Sequence, residues 1–126
     1  MRETVRRSIG AIPRIQLIEP LEYLQFVWLM SQAYLALTDS GGIQEEMPSL
    51  RRPVLVMRDK TERPEGLEAG MCQLVGTRPD VIRSAVERLL DDKRAYRRFT
   101  SGGNPFGDGK ASRRIVRHLT RVLRQV

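Results

Sequence analysis

Short apolar runs recur along this chain at nearly even intervals, and stretches of helical periodicity separate them. The runs are Ile15-Gln16-Leu17-Ile18, Tyr34-Leu35-Ala36-Leu37-Thr38, Pro53-Val54-Leu55-Val56-Met57 and Cys72-Gln73-Leu74-Val75. Each has strand length and ends at turn residues, and the second is apolar enough to be a buried parallel strand. Residues 2–9 are polar and helical in character. From Leu21 to Gln32, Leu21, Leu24, Val27 (or Trp28) and Leu29 recur at helical spacing, with Pro20 where a helix start tolerates it. Ile43 to Leu50 reads as a short helix. Pro64 opens another through Ala69, with Gly70 as its stop. Helices are also expected from Pro79 to about Asp91, from Lys93 to Thr100 and from Lys110 to Val126.

Strands alternating with helices predict an α/β fold: a parallel sheet of about four strands with helices on both faces. The chain opens on a helix where a complete doubly wound domain opens on a strand, so the expectation is a partial doubly wound sheet.

At 126 residues the chain suits one domain and is long enough to bury a core. No apolar run approaches the ~20 residues of a bilayer span. The first seven residues carry no apolar leader segment. One cysteine, Cys72, and one histidine, His118, leave no internal disulfide and no cysteine- or histidine-paired metal site. The expectation is a cytoplasmic protein without a metal or other cofactor. The net charge of +7 is uneven: residues 93–126 hold ten Lys/Arg against one acid, Asp108. In the last predicted helix, Ile115, Leu119, Val122 and Val126 form an apolar stripe; Arg113, Arg114, Arg117, Arg121 and Arg124 cover the rest. A basic amphipathic helix over 110–126 fits a packed surface helix, an acidic partner, an anionic membrane or nucleic acid. A small nucleic-acid-binding module is therefore one alternative for the chain, although interleaved aromatics are lacking.

Ligands of an open parallel sheet sit beyond the carboxyl ends of its strands. Asp39-Ser40-Gly41-Gly42 lies at such an end and runs into a helix. Free N–H groups of a first helical turn attract an anion, and Ser40 adds a hydroxyl as a candidate N-cap. Glu46, one turn after Gly42, suits a carboxylate that accepts both hydroxyls of a ribose; Glu45 points about 100° away and suits it less. A simpler alternative is a Ser-capped helix with Glu46 as a solvated charge. The loop Arg58-Asp59-Lys60-Thr61-Glu62-Arg63-Pro64-Glu65 follows the next strand and faces the same crevice, where Arg63 has the fork geometry for a phosphate. Phe26 suits stacking on a base, or simply the core. Met30, Met47, Met57, Met71 and Cys72 read as packing residues.

These segments together resemble a known family. Leu17-Ile18-Glu19-Pro20-Leu21-Glu22-Tyr23-Leu24, Leu37-Thr38-Asp39-Ser40-Gly41-Gly42-Ile43-Gln44-Glu45-Glu46, the run from Pro53 to Glu65, and Asn104-Pro105-Phe106-Gly107-Asp108-Gly109 are similar to motifs of the non-hydrolysing bacterial UDP-N-acetylglucosamine 2-epimerases. The resemblance covers essentially the whole chain in order. It implies the C-terminal Rossmann-like domain of a GT-B fold, a single truncated UDP-binding domain over 1–126. It implies interconversion of UDP-N-acetylglucosamine and UDP-N-acetylmannosamine, an isomerase reaction that serves surface polysaccharide. Ser40, Gly41 and Gly42 would hold the diphosphate, Glu46 the ribose hydroxyls, Phe26 would lie near the uracil, and Arg63 would reach the phosphate–sugar region. The family's acid/base carboxylates, lysine and early histidine have no counterpart here, so this chain alone is expected not to epimerise. Its expected partners are UDP or UDP-N-acetylglucosamine, and a second copy or the missing N-terminal half; neither a membrane nor nucleic acid is expected. A glycosyltransferase fragment of the same two-domain build is the other alternative; Arg63 in its Thr-Glu-Arg-Pro setting favours the epimerase.

Overall fold

A computed structural model describes residues 2–124. Its elements, in order, are α1 (Arg2–Ile9), α2 (Tyr23–Gln32), β1 (Ala36–Thr38), α3 (Gly41–Ser49), β2 (Val54–Val56), α4 (Pro64–Glu68), β3 (Cys72–Leu74), α5 (Pro79–Asp91), α6 (Lys93–Ser101) and α7 (Ala111–Leu123). The three strands form one parallel sheet in the order β1-β2-β3, with Leu37 opposite Leu55 and Leu55 opposite Gln73.

β2 is the centre of the molecule because its three residues serve both faces. Side chains alternate across a strand. Val54 and Val56 enter one core with Met30, Met47 and Cys72, beneath α2, α3 and α4. Leu55 enters the other with Val75, Ala85, Leu89 and Ala95, beneath α5 and α6. All three β2 side chains are fully buried, as a strand covered on both faces requires. The expected α/β architecture with helices on both faces is thus present. Tyr34 and Tyr96 fasten the second layer: their rings stack at 4.2 Å between centroids, the Tyr34 hydroxyl donates to Leu89 O and the Tyr96 hydroxyl to Tyr34 O.

The sheet has three strands, not four. Residues 15–18 are irregular and exposed, with Ile18 at 59%. A strand exists only by pairing, and among the described residues none lies beside them. For the same reason β1 is an edge strand and not a buried one: Leu37 is 40% exposed. Helix α2 begins at Tyr23 with Glu22 at its N-cap, later than Pro20 suggests. Gly41 and Gly42 belong to the first turn of α3, which starts two residues earlier than its apolar spacing predicts.

Other boundaries follow local chemistry. α5 starts at Pro79 as expected. Gly70 stops the segment after α4 by taking φ +69°, a conformation costly for residues with a Cβ. Asp92 caps α6, its carboxylate accepting the Arg94 and Ala95 N–H groups. Helix α7 begins at Ala111, and all its described side chains are exposed, including Ile115, Leu119 and Val122 of the stripe. Val126 lies outside the described residues. No helix among the described residues is long and apolar enough to cross a membrane.

Candidate functional site

The turn after β1 is set by Thr38. This residue is buried, and its hydroxyl oxygen accepts the Ser40 N–H at 3.0 Å, bending the chain out of the sheet. Ser40 takes the N-cap position of α3 in extended conformation, but its hydroxyl makes no bond to the helix. The expected side-chain cap is therefore absent. The first-turn N–H groups of α3 have no carbonyl behind them within the helix, as in every helix. They lie at the carboxyl end of β1, where the sheet presents ligands.

Arg63 reaches this turn from the loop after β2. Its guanidinium carbon and Nη1 both lie 2.8 Å from where a Cβ on Gly41 would stand. Only a glycine admits that approach. Arg63 Nε donates to Glu45 Oε1, and Nη1 lies 3.7 Å from Glu62. A cation thus rests at the positive end of the α3 dipole, and Glu45 offsets part of that charge. Helix terminus and guanidinium together favour an anion at this turn.

Glu46 stands one turn further along α3. It is half-buried, and its Oε2 is shielded from solvent without a hydrogen-bond partner among the described residues. A shielded acceptor left unpaired is costly, so a ligand bearing hydroxyl donors would be favoured there. Phe26 sits elsewhere, half-buried on α2 against the core of Met30, Met47, Val54, Val56 and Cys72. The structure therefore gathers Ser40, Gly41, Gly42 and Arg63 at one helix terminus, with Glu46 on the same helix, while Phe26 packs on α2 against the core.

Two polar side chains of this region, Gln44 and Thr61, do not stand out in the sequence, and Glu45 stands out there only as the poorer ribose ligand. Glu45 holds Arg63. Gln44, 1% exposed, and Thr61 link the two loops. Gln44 could have been found: it replaces an apolar residue in the buried stripe of Gln44, Met47 and Pro48. A polar residue on such a stripe must find partners.

Cys72 completes the underside of α3. Pro48 inside the helix has no N–H for the carbonyl four residues back, which is Gln44 O. The Cys72 thiol supplies a donor to that oxygen at 3.8 Å. Burial pushes the thiol up to about 11, so it stays protonated and serves packing, as expected. The Asn-Pro-Phe-Gly-Asp-Gly segment clasps the other end of the helix. Asn104 Nδ2 donates to Ser49 Oγ at 2.8 Å and to Gly107 O at 2.9 Å. Phe106 packs against Gly66 in α4.

The family model described as UDP-N-acetylglucosamine 2-epimerase matches residues 1–120. The UDP-N-acetylglucosamine 2-epimerase of Escherichia coli strain K12 is 55% identical over 119 residues, which are 94% of this chain and 32% of that protein. That of Bacillus subtilis strain 168 is 49% identical over 119 residues, 94% of this chain and 31% of the relative. The S. aureus MnaA–UDP co-structure superposes with a TM-score of 0.90 at 46% identity, covering 99% of this chain and 34% of that one. The Neisseria meningitidis UDP-GlcNAc 2-epimerase bound to UDP-GlcNAc gives 0.89 at 44% identity, covering 95% and 32%. The chain spans about a third of the length of the curated relatives it matches.

Proposed function

The chain belongs to the UDP-N-acetylglucosamine 2-epimerase family, and from that premise we propose that it is the UDP-holding portion of such an enzyme. The observation that carries the reading is Glu46 Oε2, an acceptor hidden from water and without a donor among the described residues, one helical turn from the Ser40–Gly42 turn. In this reading Ser40 and the N–H groups of Gly41 and Gly42 hold the diphosphate. Glu46 accepts the ribose hydroxyls, and Arg63 covers the phosphate–sugar junction. Phe26 lies toward the uracil from its place on α2. The solved relatives with UDP and with UDP-GlcNAc support this ligand class.

The reaction of the whole enzyme is an elimination followed by re-addition. A base takes the C2 proton, the C1–oxygen bond breaks with its electrons leaving on UDP, and a C1=C2 double bond forms. Return of UDP to C1 with a proton delivered to the other face of C2 gives the epimer. This portion keeps the departed UDP in place, which makes re-addition effectively unimolecular. In this reading Ser40, Gly41, Gly42, Glu46 and Arg63 are all engaged in holding UDP, so the base for the C2 proton comes from elsewhere in such an enzyme, and these 126 residues assayed by themselves turn over no substrate. In this reading it works together with the rest of such an enzyme, in a cytoplasmic setting.

A thermal melt with and without UDP tests the reading. UDP at one hundred times its Kd adds about 2.7 kcal/mol to the folded state. A midpoint raised by UDP supports the reading; a cooperative melt that saturating UDP leaves unmoved overturns it.

A further inference from the structure

A chain of hydrogen bonds joins the two loops of the site. Gln44 Nε2 donates to Ser40 O at 3.2 Å, and the Thr61 hydroxyl donates to Gln44 Oε1 at 2.7 Å. The Thr61 oxygen in turn accepts the Arg63 N–H at 3.2 Å. Both ends of the Gln44 amide are thus committed, one to the N-cap carbonyl of α3 and one to the loop after β2. The amide is 1% exposed, so water offers no substitute partners. Thr61 fixes the backbone of Arg63 two residues on, a local turn that its hydroxyl can hold. Without this bridge the loop from Arg58 to Arg63 would be held to α3 mainly by the half-exposed Arg63–Glu45 ion pair, and such pairs hold geometry weakly.

We infer that Gln44 and Thr61 are positioning residues that set the Arg63 guanidinium against the first turn of α3, so that the two loops form one cradle sized for a diphosphate. The inference rests on the UDP-holding reading and extends it to how the site distinguishes ligands. Within the diphosphate that the Ser40–Gly42 turn holds, the phosphate next to the sugar is the one Arg63 reaches, and Arg63 meets it only at the distance that the Gln44–Thr61 bridge supplies.

Titration calorimetry with UDP and with UMP tests this on the full chain as wild type, Thr61→Val, Thr61→Ser and Gln44→Met, with a nucleotide-free melt of each. Thr61→Val keeps the side-chain shape and removes the hydroxyl. It is expected to weaken UDP about tenfold, the equivalent of one well-made hydrogen bond, and to leave UMP unchanged. Thr61→Ser restores UDP affinity. Gln44→Met, similar in volume, repeats the UDP-selective loss if it folds; Thr61→Val decides the matter if it does not. Equal UDP affinity in wild type and Thr61→Val overturns the inference alone, as does a loss shared equally by UDP and UMP. A wild-type chain that binds no UDP overturns the nucleotide reading and the inference with it.

Discussion

The Arg63 guanidinium occupies the space that a side chain on Gly41 would need, 2.8 Å from the position of the absent Cβ. The contact joins residues of different loops, after β1 and after β2. It makes Gly41 a condition on where Arg63 lies.

Gly41→Ala is therefore expected to separate stability from binding. The displaced group is the far end of a flexible side chain, so the fold yields easily, and the melting transition moves by the equivalent of under about 1 kcal/mol. UDP affinity falls about tenfold, because the guanidinium is pushed off the helix terminus. Parallel melts and titrations of the two proteins check this; a loss of stability without a loss of affinity would contradict it.

Glu46 predicts a preference for ribose. If its carboxylate accepts the 2′ and 3′ hydroxyls, 2′-deoxy-UDP binds about tenfold more weakly than UDP. Glu46→Gln narrows that gap, since the amide accepts only through its single oxygen. Stability should stay level or rise, because the shielded Oε2 has no partner to lose among the described residues. Competition titrations of both nucleotides against both proteins give the comparison.

Asp108 ties the start of α7 in a pH-dependent way. The Arg114 guanidinium bonds both carboxylate oxygens, at 2.9 and 2.7 Å, and the Lys110 N–H adds a third bond at 3.1 Å. These partners, Arg114 foremost, hold the Asp108 carboxyl below the usual range. A depressed folded value means the contribution is complete above about pH 3.9, the unfolded value, and fades as pH falls through the folded one. Far-ultraviolet circular dichroism should show α7 losing helix in that acid window. Asp108→Asn should lower helicity at neutral pH and remove part of the acid step; Asp92 at the N-cap of α6 titrates similarly and accounts for another part.

The Cys72 thiol carries the opposite sign. Its folded value, pushed up to about 11 by burial, exceeds the unfolded value near 8.5. Between the two, the unfolded chain releases its proton while the folded chain keeps it, so stability declines as pH rises. Urea midpoints at about pH 7 and about pH 10 should differ more for wild type than for Cys72→Ala. Thiol reagents should label the native chain only as fast as it opens, since the sulfur is covered.

Much of this organisation was legible locally. Pro79 and Asp91 bound α5 as the pattern predicts, because proline at a first helical position and an apolar stripe of period 3.6 are properties of one segment. The strands at Ala36–Thr38, Val54–Val56 and Cys72–Leu74 lie within three of the four apolar runs. The fourth run, at 15–18, has the same local character, yet a strand is decided by its neighbour. The site was half legible. Ser40, Gly41, Gly42, Glu46 and Arg63 stood out by residue type and position. Gln44 did not, and Glu45 did so only as the poorer ribose ligand, since their importance comes from Thr61 and Arg63, seventeen and eighteen residues away.

The sequence by itself determined the alternation of helix and strand, the anion-favouring turn at Ser40 to Gly42 and the family. These are written in short-range periodicities and contiguous motifs that each segment carries with it. The tertiary structure alone decided that Arg63 rests on Gly41, that Cys72 serves the carbonyl freed by Pro48 and, among the described residues, that β1 is an edge and that Ile115, Leu119 and Val122 of α7 stay exposed. Each of these joins residues brought together by parallel pairing or loop closure, or turns on what packs against a surface. No local pattern specifies such relations, because their energy exists only once the sheet and its helices have assembled.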